Sequence, residues 1–115
     1  MRQQVFKLVL MEEADKFLDS LTDAVYEKID YNIRKVAAGV KDSELFKKLK
    51  NSEIWEFRTL YGGISYRLFA FWDTDVDTLV IATHGLMKKT QKTPPKEIAK
   101  AERIRKLYFE QKKNE

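Results

Sequence analysis

At 115 residues, with 43% hydrophobic and 12% aromatic residues and only four glycines and two prolines, the chain suffices for a single core and is too short for two. It is read as one domain over residues 1–115. This apolar content excludes a disordered chain, and the lack of cysteine excludes disulfide frames and thiolate metal sites. No apolar run nears the roughly 20 residues that cross a bilayer, and the opening MRQQVFKLVLMEE lacks the apolar stretch of a signal peptide, so the expected setting is the cytoplasm, away from membranes. The net charge of +4 is uneven: residues 1–87 carry 12 Lys/Arg against 14 Asp/Glu, whereas residues 88–113 carry ten against three. A basic end of that kind suits a polyanion such as a nucleic acid, or an acidic protein surface.

Residues 5–10 (VFKLVL) are a short apolar run with β-branched members, which predicts a strand buried on at least one face. Over residues 11–21, Ala14, Phe17, Leu18 and Leu21 fall at helical spacing, and Glu12, Glu13 and Asp15 occupy the first turn, where the helix dipole favours acids. Ser20 or Thr22 is placed to cap a second helix with the stripe Val25, Ile29, Ile33 and Val36, and Gly39 stands where a left-handed cap is expected. The two read as a helical hairpin that packs on a sheet and supplies no catalytic group. Residues 42–51 (DSELFKKLKN) are polar with Leu45, Phe46 and Leu49 embedded, which suits a short helix or an anchored loop.

Residues 54–94 organise the rest. Alternation puts Trp55 and Phe57 on one side of a strand and Glu56 and Arg58 on the other. Tyr61, Gly62 and Gly63 permit a tight reversal, so residues 64–72 return antiparallel, with Ser65, Arg67, Phe69 and Phe71 on one face and Tyr66, Leu68, Ala70 and Trp72 on the other. Arg67 thus lies opposite an apolar face, and its replacement is expected to cost the core little. An acidic turn over residues 73–77 leads to residues 79–83 (LVIAT), apolar on both faces like an interior strand. Thr93 is positioned as the N-cap of a last helix with Pro94 at its first position. Ile98, Ala101, Ile104 and Tyr108 form that helix's apolar stripe, and its lysines fall largely elsewhere. The order β-α-α-β-β-β-α predicts an α+β domain: an N-terminal strand and helical hairpin packed on a mainly antiparallel four-stranded sheet, with a C-terminal helix. Two arginines near each other and a basic exit make this sheet a platform for a phosphodiester such as RNA.

The strand WEFR, the strand GGISYRLFAFW, and the strand TLVIATHG running into KKTQKTPPKEIAKAERIR resemble the RelE/ParE superfamily of bacterial toxins, most closely its HigB-like, phage-derived branch. The resemblance spans most of the chain and is most specific over residues 55–105, above all in the run H-G-x-x-K-K-T-Q-K-T-P. It implies a RelE-like fold and a toxin of a type II toxin-antitoxin system. RelE- and HigB-type members cut messenger RNA, usually in the ribosomal A site, with no metal or other cofactor, the RNA 2′-hydroxyl attacking its own phosphate. The partners implied are a cognate antitoxin of helix-turn-helix type, messenger RNA and the ribosome. ParE-type members share the fold and poison DNA gyrase instead, and a degenerate member would only bind its antitoxin, so fold alone does not choose.

On this resemblance Arg58 and Arg67 match the arginines that bracket the hairpin in the nuclease branch, Arg67 being the one that contacts the scissile phosphate. Lys88 and Lys89 match the basic end of the last strand, where RelE carries a catalytic arginine. Glu56 stands about where RelE has a lysine base, and Pro94, Pro95 and Lys96 occupy the region of a family tyrosine. Metal-free cleavage needs a base for the 2′-proton, an acid for the leaving 5′-oxygen, and cations for the phosphorane. Arg58 and Arg67 carry guanidinium forks suited to phosphate. Lys88, Lys89 and Lys92 are the candidates to hold the RNA backbone, with Lys89 the catalytic candidate. His84, the only histidine, is either the acid or base that its ordinary pKa suggests or a structural residue beside Gly85. Glu56 is either a base held by an arginine or half of an ion pair. Tyr61 and Phe69 are candidates to stack a base, or else packing residues. One histidine and scattered carboxylates lack metal-ligand spacing.

Overall fold

A computed structural model describes residues 5–89 and 92–114. The elements in chain order are β1 (Lys7–Leu10), α1 (Glu12–Asp19), α2 (Asp23–Ala37), β2 (Phe46–Lys48), β3 (Trp55–Tyr61), β4 (Ile64–Trp72), β5 (Leu79–Lys88) and α3 (Pro95–Lys113). They form one sheet in the order β1-β5-β4-β3-β2, antiparallel except where β1 runs parallel to β5. The α+β class, the hairpin and the final helix are as expected, but the sheet has five strands instead of four. Residues 42–51 contain β2 because Phe46 pairs with Phe57 and stacks on the Phe57 and Trp55 rings at 4.3 and 4.7 Å between centroids. A three-residue strand has too few positions to display a period, so only its partners reveal it.

Local chemistry sets the element ends. The Thr22 hydroxyl caps α2 by accepting from the Val25 N–H at 3.4 Å, and Gly39, at φ 103°, takes the left-handed position after the helix. Gly62 and Gly63, at φ 58° and 78°, make the two-residue turn between β3 and β4, where both central residues need positive φ.

Both faces of the sheet are covered. Phe57, Leu68, Ala70, Val80 and Ala82 pack with Ala14 of α1 and with Val36 and Ala37 of α2. Phe69, Phe71 and Ile81, on the other face, pack with Ala101, Ile98, Tyr108 and Phe109 of α3. Helix α3 follows β4 from one end to the other: Thr93, just before it, bonds Arg67, Glu97 bonds His84, the residue opposite Phe69, and Tyr108 reaches Asp73 at the end of β4. Asp73 is 1% exposed and accepts from the Tyr108 hydroxyl at 2.5 Å and the Lys112 ammonium at 2.7 Å. Burial alone would raise its pKa, but these two donors and the Asp75 N–H outweigh it and hold the carboxyl below its ordinary value. Among the described residues no helix is long and apolar enough to cross a membrane.

A β-bulge decides what faces α3. Phe69 pairs with His84 but Ala70 pairs with Ala82, so Thr83 is an extra residue in β5. Strict alternation would leave His84 on the face of Ala82, toward α1 and α2; the inserted residue turns it to the face of Phe69 and Arg67. Gly85 then lies opposite Leu68, where a Cβ would overlap the Phe17 ring of α1.

Candidate functional site

Three adjacent strands bring the predicted cations to one end of the α3 face. Arg58 of β3 is directly opposite Arg67 of β4, and Lys88 of β5 is opposite Ser65 of β4. Like charges facing each other across strands are unfavourable, and the alternation that produces the pairing also supplies the remedy. Glu56, two residues before Arg58 on the same face, ion-pairs with the Arg67 Nη1 and lies 3.4 Å from the Arg58 Nε. The Arg67 Nε donates to the Ser65 hydroxyl at 2.6 Å. The Thr93 hydroxyl donates to Glu56 Oε2 at 2.8 Å and accepts from Arg67 Nη1 at 3.2 Å.

This network corrects two expectations. Arg67 and Glu56 are each 1% exposed, so Arg67 is a buried charge and not a surface residue. Burial lowers its pKa from the ordinary guanidinium value, Glu56 acts in the opposite direction, and Arg58 adds a further lowering. Thr93 does not cap α3: the N-cap position is Pro94, with no side-chain cap, and the threonine hydroxyl is used on Glu56 instead. Arg58 is more accessible, its side chain 22% exposed. Lys89 and Lys92 are exposed and Lys88 is half-buried, with the Lys88 ammonium donating to the Lys92 carbonyl. Thr90 and Gln91 of the basic run lie outside the described residues.

His84 lies one pair further along the same face. It is 3% exposed, its ring 4.8 Å from that of Phe69, and both nitrogens are engaged: Nδ1 with the Thr83 hydroxyl at 2.8 Å, Nε2 with Glu97 at 3.2 Å. A carboxylate only accepts, so the neutral ring carries its proton on Nε2 and receives the Thr83 proton at Nδ1. Burial and, secondarily, Lys100 hold its pKa below 6.5, against the opposing pull of Glu97 and Glu13. The imidazole is therefore neutral near pH 7 and ties β5 to α3. Among the described residues no group of three or more His, Asp or Glu is arranged to hold a metal ion.

Residues 16–106 match the family described as Phage derived protein Gp49-like (DUF891). The chain belongs to the Gp49-like family. Its structure is similar to that of a free E. coli toxin RelE variant with two arginines replaced by alanine: TM-score 0.61, 17% identity, 90% of this chain and 98% of that one. It also aligns with the toxin-antitoxin complex RelBE2 of Mycobacterium tuberculosis, at 18% identity over 70% of this chain and 94% of that one, with a TM-score of 0.48. No curated protein matches the sequence. The phage-derived family and the RelE fold that the residues suggested are both found.

For the Gp49-like chain, then, the strands unite Glu56, Arg58, Arg67 and Lys88, with Lys89 and Lys92 at the exit from β5. Two stacking candidates do not join them. Phe69 is fully buried against His84 and α3, so it is a packing residue with no face to offer a base. Tyr61 is 40% exposed, but it pairs with Ile64 and so sits on the α1/α2 face, away from Arg67. Sequence reasoning missed Thr93 and Glu97 as partners of the site, since each reaches its partner across 13 or more residues. Ser65 did carry a signal: it shares the face of Arg67 by simple alternation.

Proposed function

We propose that this chain is the toxin of a type II toxin-antitoxin pair, acting in the cytoplasm as a metal-independent endoribonuclease on messenger RNA at the ribosome and neutralised by a cognate antitoxin. The observation that carries this reading is Arg58 held directly opposite Arg67, an arrangement that costs stability unless an anion lies between the two. Glu56 is that anion in the free protein. A phosphate of the substrate is the anion the pair suits during catalysis, because two guanidinium forks match the oxygens of a phosphorane. The 2′-oxygen bonds to phosphorus as the P–O5′ bond breaks, leaving a 2′,3′-cyclic phosphate and a free 5′-hydroxyl. Glu56 takes the 2′-proton, Arg58 and Arg67 stabilise the phosphorane, and Lys89 protonates the leaving oxygen while Lys88 and Lys92 hold the backbone. Thr93, bonded to both Glu56 and Arg67, is the group that gives way when phosphate enters. His84 positions α3, and therefore Thr93, through Glu97.

Inducing the chain alone should arrest bacterial growth, and primer extension should find new 5′ ends inside translated frames. Arg58→Ala, at the more accessible arginine, should keep the melting temperature near that of the parent and slow cleavage by about 10²- to 10³-fold, the loss typical of one oxyanion-stabilising donor. Intact messages together with accumulated cleaved gyrase complexes would move the function to the gyrase-directed members of the fold. Normal growth with good soluble expression would end the toxin reading.

A further inference from the structure

β2 pairs with β3 only as far as Phe57, so among the described residues β3 from Thr59 onward is an edge with no strand on that side. A groove crosses this edge. It starts at Lys28 and Lys35 of α2, passes Asp42 and Glu44, and ends at Arg58 and Ser65. The Ser65 hydroxyl is itself bonded by Arg67, so the groove connects the outer surface of α2 with the arginine cluster on the opposite face of the sheet. Outside the lining itself, but beside its two lysines on α2, is Tyr31, 58% exposed, with the Lys28 and Lys35 ammonium groups 5.6 and 5.5 Å from its ring centroid. An exposed aromatic ring beside flexible cations is a combination that binds single-stranded nucleic acid, the ring stacking a base as the long lysine side chains swing out to meet the flanking phosphates.

We propose that this groove and Tyr31 beside it form a second contact site for single-stranded RNA: Tyr31 stacks a base, and Lys28 and Lys35 hold the adjoining backbone of a strand whose scissile phosphate lies at Arg58. The inference rests on the nuclease reading above and adds the path of the strand. Continuity with Arg58 favours an RNA occupant, as does the lining itself: three cations against two carboxylates. Asp42 and Glu44 repel phosphate but accept hydrogen bonds from the exocyclic amines of bases, so the bases, and not the backbone, face them. The spacing of Lys28, Tyr31 and Lys35 at i, i+3 and i+7 keeps all three on one side of α2.

The test uses the purified full chain and a fluorescein-labelled 2′-O-methyl RNA of roughly 12 nucleotides, within the site sizes of single-strand binders, which binds but cannot be cut. Tyr31→Ala should weaken binding by about 5- to 100-fold, the effect of losing one stacked base. Lys28→Gln/Lys35→Gln should reduce the slope of log affinity against log salt by about 1.4, two phosphates' worth for a single strand. Both alter outward-facing positions of α2, and an unchanged melting temperature would verify the fold. If the parent binds this RNA while the variants keep the parent's affinity and salt slope, or if the parent does not bind it yet cuts a translated message on added ribosomes, this inference alone fails. If the parent neither binds this RNA nor cuts a message on added ribosomes, the nuclease reading fails and takes this one with it. Variants that bind RNA normally but escape neutralisation by the co-expressed antitoxin would assign the groove to a protein and overturn the proposal.

Discussion

Arg67 shows how one side chain can belong to both stability and chemistry. Its guanidinium is buried and feeds Glu56, Ser65 and Thr93, so Arg67→Ala would leave the Glu56 carboxylate, equally buried, without its main counter-charge. Breaking such a pair from one side costs about 3 kcal/mol, far beyond the roughly 0.5 kcal/mol of a surface change, and urea unfolding of Arg67→Ala should show it. Glu56→Leu/Arg67→Met should recover most of that loss, since an apolar pair of similar volume needs no counter-charge. Arg67→Lys should recover little, because an ammonium cannot reproduce a fork that serves three oxygens at once. A dead Arg67→Ala protein would accordingly say little about catalysis until its fold was verified, which is why Arg58 is the better probe.

At the level of elements, the sheet is gripped from both sides, and each grip has a weak point. On one side α1 approaches β5 so closely that only glycine fits at position 85, beneath the Phe17 ring. Gly85→Ala should therefore destabilise the protein by about 1–3 kcal/mol, the usual cost of overpacking. Phe17→Leu/Gly85→Ala should cost less than the two single changes added together, because the smaller side chain clears the new methyl. On the other side the last turns of α3 are fastened by Tyr108 and Lys112 to Asp73. Asp73→Ala should release that end first, seen as faster amide hydrogen exchange over residues 104–113 while exchange in β4 and β5 stays slow.

For the whole molecule these buried groups set the pH dependence of stability. His84 has a folded pKa below its ordinary 6.5, so as pH falls past 6.5 the unfolded chain takes up a proton that the folded protein refuses. Stability should decline from that point until the folded pKa is reached. His84→Gln should flatten this stretch of the melting-temperature profile without changing the steeper acid limb. That limb begins below about 3.8, where protonation removes the advantage of Asp73, whose folded pKa is lowered. At the alkaline end, Tyr108 and Lys112, both with raised pKa values, contribute stability that is lost as pH rises above 10.

Much of this architecture was legible in the residues. The helical stripes, the Gly62-Gly63 turn, the Thr22 cap and the face shared by Ser65 and Arg67 depend on periodicity and backbone freedom, and these are properties of neighbours along the chain. The features that shape the site are of another kind. Alternation carried through residues 79–88 assigns His84 to the wrong face, because a bulge at Thr83 is a property of the pairing with β4 and not of β5 alone. β2 exists because Phe46 finds the rings of Trp55 and Phe57. Thr93 has the makings of a helix cap and serves Glu56 instead, since a buried carboxylate between two arginines is the more demanding partner. The chain by itself determined which residues could form a cationic platform. Only the tertiary structure decided that its central arginine would be buried and Thr93 tied to Glu56, because desolvation and long-range hydrogen bonds arise only where distant segments meet.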